Sequence, residues 1–280
     1  MTDLGRFHTS CGSVQGARPS RFETMTMSSG QFTQSRLAAI LAGGAGSRLR
    51  PSLGDRPKCL AEINGLPFIT YQLRQLRHFG FTRVLMLTGQ GHDDVAAYLG
   101  DGDSFGVEVS YHREVEPAGT GGAVREACEQ LGDRFLLLNG DTLADCDLAA
   151  LCDAHEDAAA TIAVTEVQSP GDFGRVRIDA DRRIIAFDEK PADGQAAYVS
   201  AGVYCVGPDI CDYIPRQGAV SLELDVFPAL LRTAAPVFAH SCDGFFDIGT
   251  PERLDEAQRH PYFQAATDRW PFTAAKRPSA

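Results

Sequence analysis

From Arg36 onward, short apolar runs alternate with amphipathic stretches, and this alternation limits the fold more than any other feature of the 280 residues. "RLAAILAGG" is a continuous apolar run ending in glycines, as a strand buried on both faces does. "FITYQLRQLRHFG" has helical spacing and a glycine stop. "RVLMLTG", "VEVSYH" and "RFLLLNGD" repeat the strand signature, with "HDDVAAYLG" and "GGAVREACEQLG" as helices between them. Strands separated by helices imply βαβ units, so the expected fold is α/β: a Rossmann-like mixed, mostly parallel sheet flanked by helices. Beyond about residue 160, "ATIAVTEV", "GRVRID", "RIIAFDE" and "YVSAGVYCV" follow one another with few helices, which predicts a smaller, partly antiparallel region. "LELDVFPALLR" and "PERLDEAQRH" then return to helix.

Residues 1–35 have no periodicity and no apolar core of the kind a signal peptide carries, so a disordered leader is expected there. Met25 or Met27 reads equally well as the start. Residues 36–260 are expected to form a single domain, and the stretch 261–280, with the only tryptophan (Trp270), shows no pattern.

The net charge of −11 argues against nucleic-acid binding, which needs a basic face to displace counterions from phosphates. No apolar run is long enough to span a membrane. The eight cysteines, at 11, 59, 128, 146, 152, 205, 211 and 242, form no CxxC pair and several lie in apolar stretches. Free thiols in a reducing cytoplasm are therefore expected. Only three of 26 basic residues are lysine (Lys58, Lys190 and Lys276), and the first two fall inside motif-like stretches where a compact point charge is useful.

In open α/β sheets ligands bind beyond the carboxyl ends of strands, and three polar motifs occupy such places. The first, "LAGGAGSRLRPSLGDRPKCL", is neither a Rossmann fingerprint, since Leu49 replaces its third glycine, nor a P-loop, since no GK pair follows. Its glycines nevertheless let backbone N–H groups approach an anion, and Arg48, Arg50, Arg56 and Lys58 add positive charge, which suits phosphates. The other two are "LLLNGDT", with Asp141, and "GFFDIGT", with Asp247. A carboxylate placed after buried apolar residues is costly unless it holds a cation or is hydrogen-bonded. Two of them with phosphates make an oxygen shell suited to magnesium; turn or cap formation is the simpler alternative for each.

"LAGGAGSRLRP" followed by "RPKCL" resembles the signature of the sugar-1-phosphate nucleotidylyltransferases. The similarity continues through "EPAGTGGA", "LLNGD", "FDEKP", "SAGVY", "LELDVFP" and "FFDIGTPE", over roughly residues 36–259. Within that family the chain is most similar to the D-glycero-D-manno-heptose 1-phosphate guanylyltransferases, then to the mannose-1-phosphate guanylyltransferases. Ser47 and Cys59 depart from residues common there, without touching the charged positions. The resemblance implies a fold of the nucleotide-diphospho-sugar transferase type, with a nucleotide-binding part over about 36–158 and a sugar-phosphate-binding part over about 159–260. It implies catalytic roles for Arg48, Lys58 and Asp141, and a nucleotide cradle of Leu41, Gly43, Gly44, Gly46 and Ser47. Glu116, Gly119 and Thr120 would face the base, Asp141 and Asp247 would hold Mg2+, and Gly174, Glu189, Lys190, Ser200, Gly202 and Glu223 would line the sugar-phosphate pocket. The implied substrates are a nucleoside triphosphate, with GTP favoured by the carboxylate of Glu116, and a sugar 1-phosphate. No hexapeptide-repeat β-helix of the longer family members is expected. A metal-dependent glycosyltransferase and a non-catalytic sensing subunit remain as other classes, although "NGDTLAD" lacks a close DxD pair. The sequence leaves room for a homo-oligomer.

Overall fold

The computed structural model describes residues 36–270 except 45, 47, 50–52, 155–157, 169, 172 and 189–195. In chain order its strands are β1 (Arg36–Ala42), β2 (Glu62–Ile63), β3 (Leu66–Pro67), β4 (Phe81–Thr88), β5 (Glu108–Arg113), β6 (Phe135–Asn139) and β7 (Thr142–Asp145). There follow β8 (Ala160–Val167), β9 (Arg175–Ile178), β10 (Ile184–Asp188), β11 (Ala197–Val206), β12 (Val237–Ser241) and β13 (Gly244–Asp247). The helices are α1 (Phe68–His78), α2 (His92–Leu99), α3 (Gly119–Leu131), α4 (Leu148–Asp153), α5 (Phe227–Arg232), α6 (Pro251–Arg259) and α7 (Pro261–Arg269).

β1 is fully buried at Ala38–Ile40 because helices cover both faces of the sheet. Ala38 and Ile40 point to a cluster containing Leu73 and Leu76 of α1 and Val95 of α2. Ala39, half a period away, points to Val124 and Ala127 of α3. β1 pairs in parallel with β4 and β6, and β4 with β5, as the βαβ pattern predicts. The second region is antiparallel around β11, which pairs with β6, β8 and β9. The strand order is β10-β9-β11-β6-β1-β4-β5, with β8 beside β11 and β12 beside β8. β7 and β13 form a separate antiparallel ribbon.

Two expectations need correction. The patternless stretch from residue 261 continues as helix α7, and Trp270 is buried. Their apolar positions join Phe68, Tyr71 and Ile248 in a third cluster, a partnership invisible to local periodicity. Free thiols hold for Cys59, Cys146, Cys152, Cys205 and Cys242 but not for Cys128 and Cys211, which form a disulfide. The fold lays the α3 residue Cys128 beside a 3-10 turn at Pro208–Tyr213, closing a separation of 83 residues to a Cα–Cα distance of 6.3 Å. Cys11 lies outside the described residues.

Candidate active site

The loop after β1 and the turn after β6 meet edge to edge. The Gly140 amide donates to the Leu41 carbonyl at 2.9 Å, and a side chain on Gly140 would strike that oxygen. Lys58 opens a short 3-10 turn whose next residues, Cys59 and Leu60, are buried and anchor it. Burial pushes the Cys59 thiol up to about 12, which leaves it an inert packing group. Lys58 reaches across to donate to Asp141 Oδ2 at 2.8 Å, both side chains remaining partly open to solvent. Gly46, at φ +59°, lies against the aliphatic stem of Lys58.

Asp247 comes to the same place through the β7–β13 ribbon, where it stands opposite Thr142, and the Ile248 amide donates to the Asp141 carbonyl. Its Oδ1 accepts from the Gly249 amide at 2.8 Å and from Arg253 at 2.9 Å. Burial, and next the Asp141 charge, raise its carboxyl above the ordinary range despite those donors. Two carboxylates therefore repel one another on one rim. Among the described residues no cluster of three or more His, Cys, Asp or Glu could hold a metal ion. A hard cation placed here would take these two carboxylates and complete its shell with water and phosphate oxygens, which is how magnesium is commonly held. The donor set fits it.

Sequence reasoning missed what fixes this turn. Gln72 on α1, fully buried, donates through Nε2 to the carbonyls of Asn139 and Thr142, both at 2.8 Å, on either side of Asp141. Glutamines at the apolar-periodic positions of α1, Gln72 and Gln75, both buried, were the available signal.

On the α3 side the structure sets Glu116 and Glu114 in different surroundings. Glu116 is exposed, and it is Glu114, two residues earlier, that turns inward. A Cβ on Gly43 would lie 2.2 Å from Glu114 Oε2, so the glycine is what admits the carboxylate. Glu114 Oε1 is buried with no hydrogen-bond partner. Burial and then the Glu126 charge raise the Glu114 carboxyl, with the Ala118 amide opposing. Gly119, at φ +76°, starts α3 in close contact with the Val220 backbone. The Thr120 hydroxyl accepts from the Leu222 amide at 2.9 Å, so it clasps the segment carrying Glu223.

On the sugar-pocket side, Ser200, Gly202 and Glu223 come together around a residue not singled out from sequence, Tyr204. Its hydroxyl donates to Glu223 Oε1 at 2.6 Å and accepts from Ser200 Oγ at 3.3 Å. Burial and the Glu223 carboxylate push this phenol well above the ordinary tyrosine range, with donors on Ser200 and Asn139 opposing. Gly202 closes against Asn139 and Thr142, which ties this group to the Asp141 turn. Gly174 is exposed near the Asp188 carbonyl. Leu41 is half-buried, while Gly44 and Arg48 are exposed on the loop. Arg56 is drawn aside by Glu62 at 3.1 Å. Ser47, Glu189 and Lys190 lie outside the described residues.

A family model described as nucleotidyl transferase matches residues 37–261, and the chain belongs to that family. Mannose-1-phosphate guanylyltransferase of Mycobacterium tuberculosis is 36% identical over 220 residues, 77% of this chain; the chain spans 61% of the length of that relative. D-glycero-alpha-D-manno-heptose 1-phosphate guanylyltransferase of Campylobacter jejuni is 31% identical over 217 residues, covering 77% of this chain and 95% of that protein. Among solved structures, HddC from Yersinia pseudotuberculosis complexed with GMP-PN aligns with TM-score 0.69 and 29% identity, over 80% of this chain and 98% of that one. The mixed, mostly parallel sheet flanked by helices is the architecture expected from sequence, and these neighbours share it.

Proposed function

We propose that this chain transfers a nucleotidyl group from a nucleoside triphosphate to a sugar 1-phosphate with release of pyrophosphate, preferring GTP and a mannose- or manno-heptose-type acceptor. The observation that carries the proposal is the meeting of Lys58, Asp141 and Asp247 at the mouth of the glycine loop. Both reactants are anions, so the barrier the protein can lower is charge build-up as the sugar phosphate attacks the α-phosphorus in line. Loop amides and Arg48 bind the triphosphate, and Lys58 places a compact charge at the reacting phosphates. Asp141 and Asp247 would hold magnesium, which when bound neutralises phosphate charge and orients the leaving pyrophosphate. No covalent protein intermediate is needed.

The base preference rests on Glu114 in place of Glu116. Guanine offers two neighbouring donors, N1–H and the N2 amino group, which a carboxylate accepts in parallel. Uracil and thymine flank one donor with two carbonyls, which a carboxylate repels. The inward carboxylate of Glu114, whose Oε1 has no hydrogen-bond partner in the protein, supports this reading. The relatives named above, two guanylyltransferases, support the same preference.

A matrix of GTP, UTP, dTTP, ATP and CTP against mannose, manno-heptose and glucose 1-phosphates, read by pyrophosphate release, tests the proposal. Release that requires both a triphosphate and a sugar phosphate is expected, fastest with GTP. Transfer from a nucleotide-sugar without pyrophosphate release would make the protein a glycosyltransferase, and silence in every well would leave only a sensing role.

A further inference from the structure

We infer that Tyr204 is a positioning residue for sugar recognition: its buried hydroxyl ends a directional hydrogen-bond relay that holds the Glu223 carboxylate toward the acceptor sugar. This rests on the placement of Glu223 in the sugar pocket proposed above.

The relay starts from an irregularity in β11. Its register against β8 shifts between Ser200 and Tyr204, and Gly202 within the shift has φ +68°. In an unbroken strand, residues four apart are about 13 Å apart along the chain. The bulge shortens that span and brings the two hydroxyls to 3.3 Å. The Gly202 amide donates to Ser200 Oγ at 3.2 Å, Ser200 donates to the Tyr204 hydroxyl, and Tyr204 donates to Glu223 Oε1 at 2.6 Å. Every donor points the same way, so the chain ends on an acceptor, a place that the proton-free carboxylate of Glu223 fills, and bonds in such a chain polarise one another.

The backbone around Glu223 is held by other groups. Thr120 takes the Leu222 amide, Ser221 Oγ takes the Leu224 amide and Asp225 takes the Ser221 amide. What these leave undetermined is the direction of the Glu223 side chain on an exposed turn. Tyr204 supplies it: 1% exposed and packed on Phe227 at 5.0 Å, the ring cannot follow a wandering glutamate. Oε2 of Glu223 has no protein partner among the described residues and can accept from a sugar hydroxyl.

Steady-state kinetics test this, using whichever of mannose 1-phosphate and manno-heptose 1-phosphate the wild type turns over faster. Tyr204→Phe keeps the ring and removes only the hydroxyl. It should raise KM for the sugar phosphate ~10-fold or more, as losing a hydrogen bond to a charged group implies, with KM for the triphosphate unchanged. Glu223→Gln should raise the same KM, and the double variant should be no worse than Glu223→Gln alone. A wild-type sugar KM in Tyr204→Phe beside a defective Glu223→Gln would overturn the inference about Tyr204. So would multiplying effects in the double variant, or a lowered Tm with both KM values moved, which would mark Tyr204 as packing only. Should Tyr204→Phe not fold, Ser200→Ala must raise the sugar KM, and an unchanged KM would refute the relay. A harmless Glu223→Gln, or no turnover of either sugar phosphate, would instead refute the placement of Glu223 itself.

Discussion

The parallel side of the sheet and the β11 side build their walls of the site by opposite means. Around β1, β4 and β6 the functional groups ride on loops beyond the strand ends, and glycines make the room they need. Gly43 admits Glu114, and Gly140 lets the Leu41 carbonyl come close. Around β11, Ser200 and Tyr204 belong to the strand itself, brought together by a bulge, and they hold Glu223 of a neighbouring turn through side-chain hydrogen bonds. The difference matches the ligands proposed for each wall. Phosphates are bound well by amides and point charges, which tolerate several arrangements. A sugar is told from its epimers by the direction of single hydroxyls, which needs oriented side chains.

The contrast is broken most severely where the two walls meet. Asp141→Asn should cut turnover ~100- to 1,000-fold while leaving Tm within a degree or two, because an uncharged amide binds magnesium poorly. Chelation of the wild type should reproduce the loss. Asp247→Asn should lose a comparable factor with Tm little changed, because relief of a buried carboxylate that Asp141 also repels is offset by loss of the ion pair to Arg253. Undiminished turnover in either variant would make that carboxylate structural.

Next in size is Lys58→Arg, expected to lose about 100-fold in kcat with KM for the sugar phosphate little changed. Lys58 lays its stem against Gly46 and donates to Asp141 Oδ2 at 2.8 Å, and a planar guanidinium cannot put one compact charge at that point. Wild-type kcat in this variant would return Lys58 to the role of a solvated cation.

Glu114→Gln sharpens the comparison on the nucleotide wall. Its preference for GTP over UTP, as a ratio of kcat/KM values, should fall roughly 10- to 100-fold. Stability carries a second signature. The folded-state carboxyl is raised above its ordinary value of 4.5 by burial, so its favourable protonated form is lost as pH rises through that raised value. The glutamine variant should therefore melt higher than wild type at pH 8, by ~2–4 °C, and the gain should vanish toward pH 4. A gain independent of pH would show that the charge is not what costs stability.

The smallest effect should belong to Glu116→Gln. Exposed in the structure, it should leave the GTP to UTP ratio within about two-fold of wild type. A shift as large as that of Glu114→Gln would restore Glu116 as the base-reading residue.

The legible and illegible parts of the site cut across its two walls. Strands such as "RLAAILAGG" announce themselves through local apolar runs, Asp141 and Asp247 stand out because charge after such a run is costly, and Lys58 because lysine is scarce in the chain. Glu114 and Glu116 could not be ranked, because the segment between β5 and α3 has no period to say which side chain turns in. Tyr204 read as one more core residue of an apolar strand; only the bulge at Gly202 turns its hydroxyl to Glu223. The β7–β13 ribbon, helix α7 and the Cys128–Cys211 bond all join residues far apart in sequence, where hydrophobic pattern carries no information.

That bond makes the molecule a covalent ring with two tails. Residues 128 to 211 enclose the Asp141 turn, β8, and β11 with Tyr204. Asp181, Arg182 and Arg183, on the turn before β10, lie inside the ring and are exposed. A trypsin cut there would open the ring without parting the molecule: one band on a non-reducing gel and two after a thiol is added. The nicked protein would keep the glycine loop and Lys58 on one fragment and Tyr204, Glu223 and Asp247 on the other, so mixing fragments from separately mutated chains becomes a route to hybrid sites.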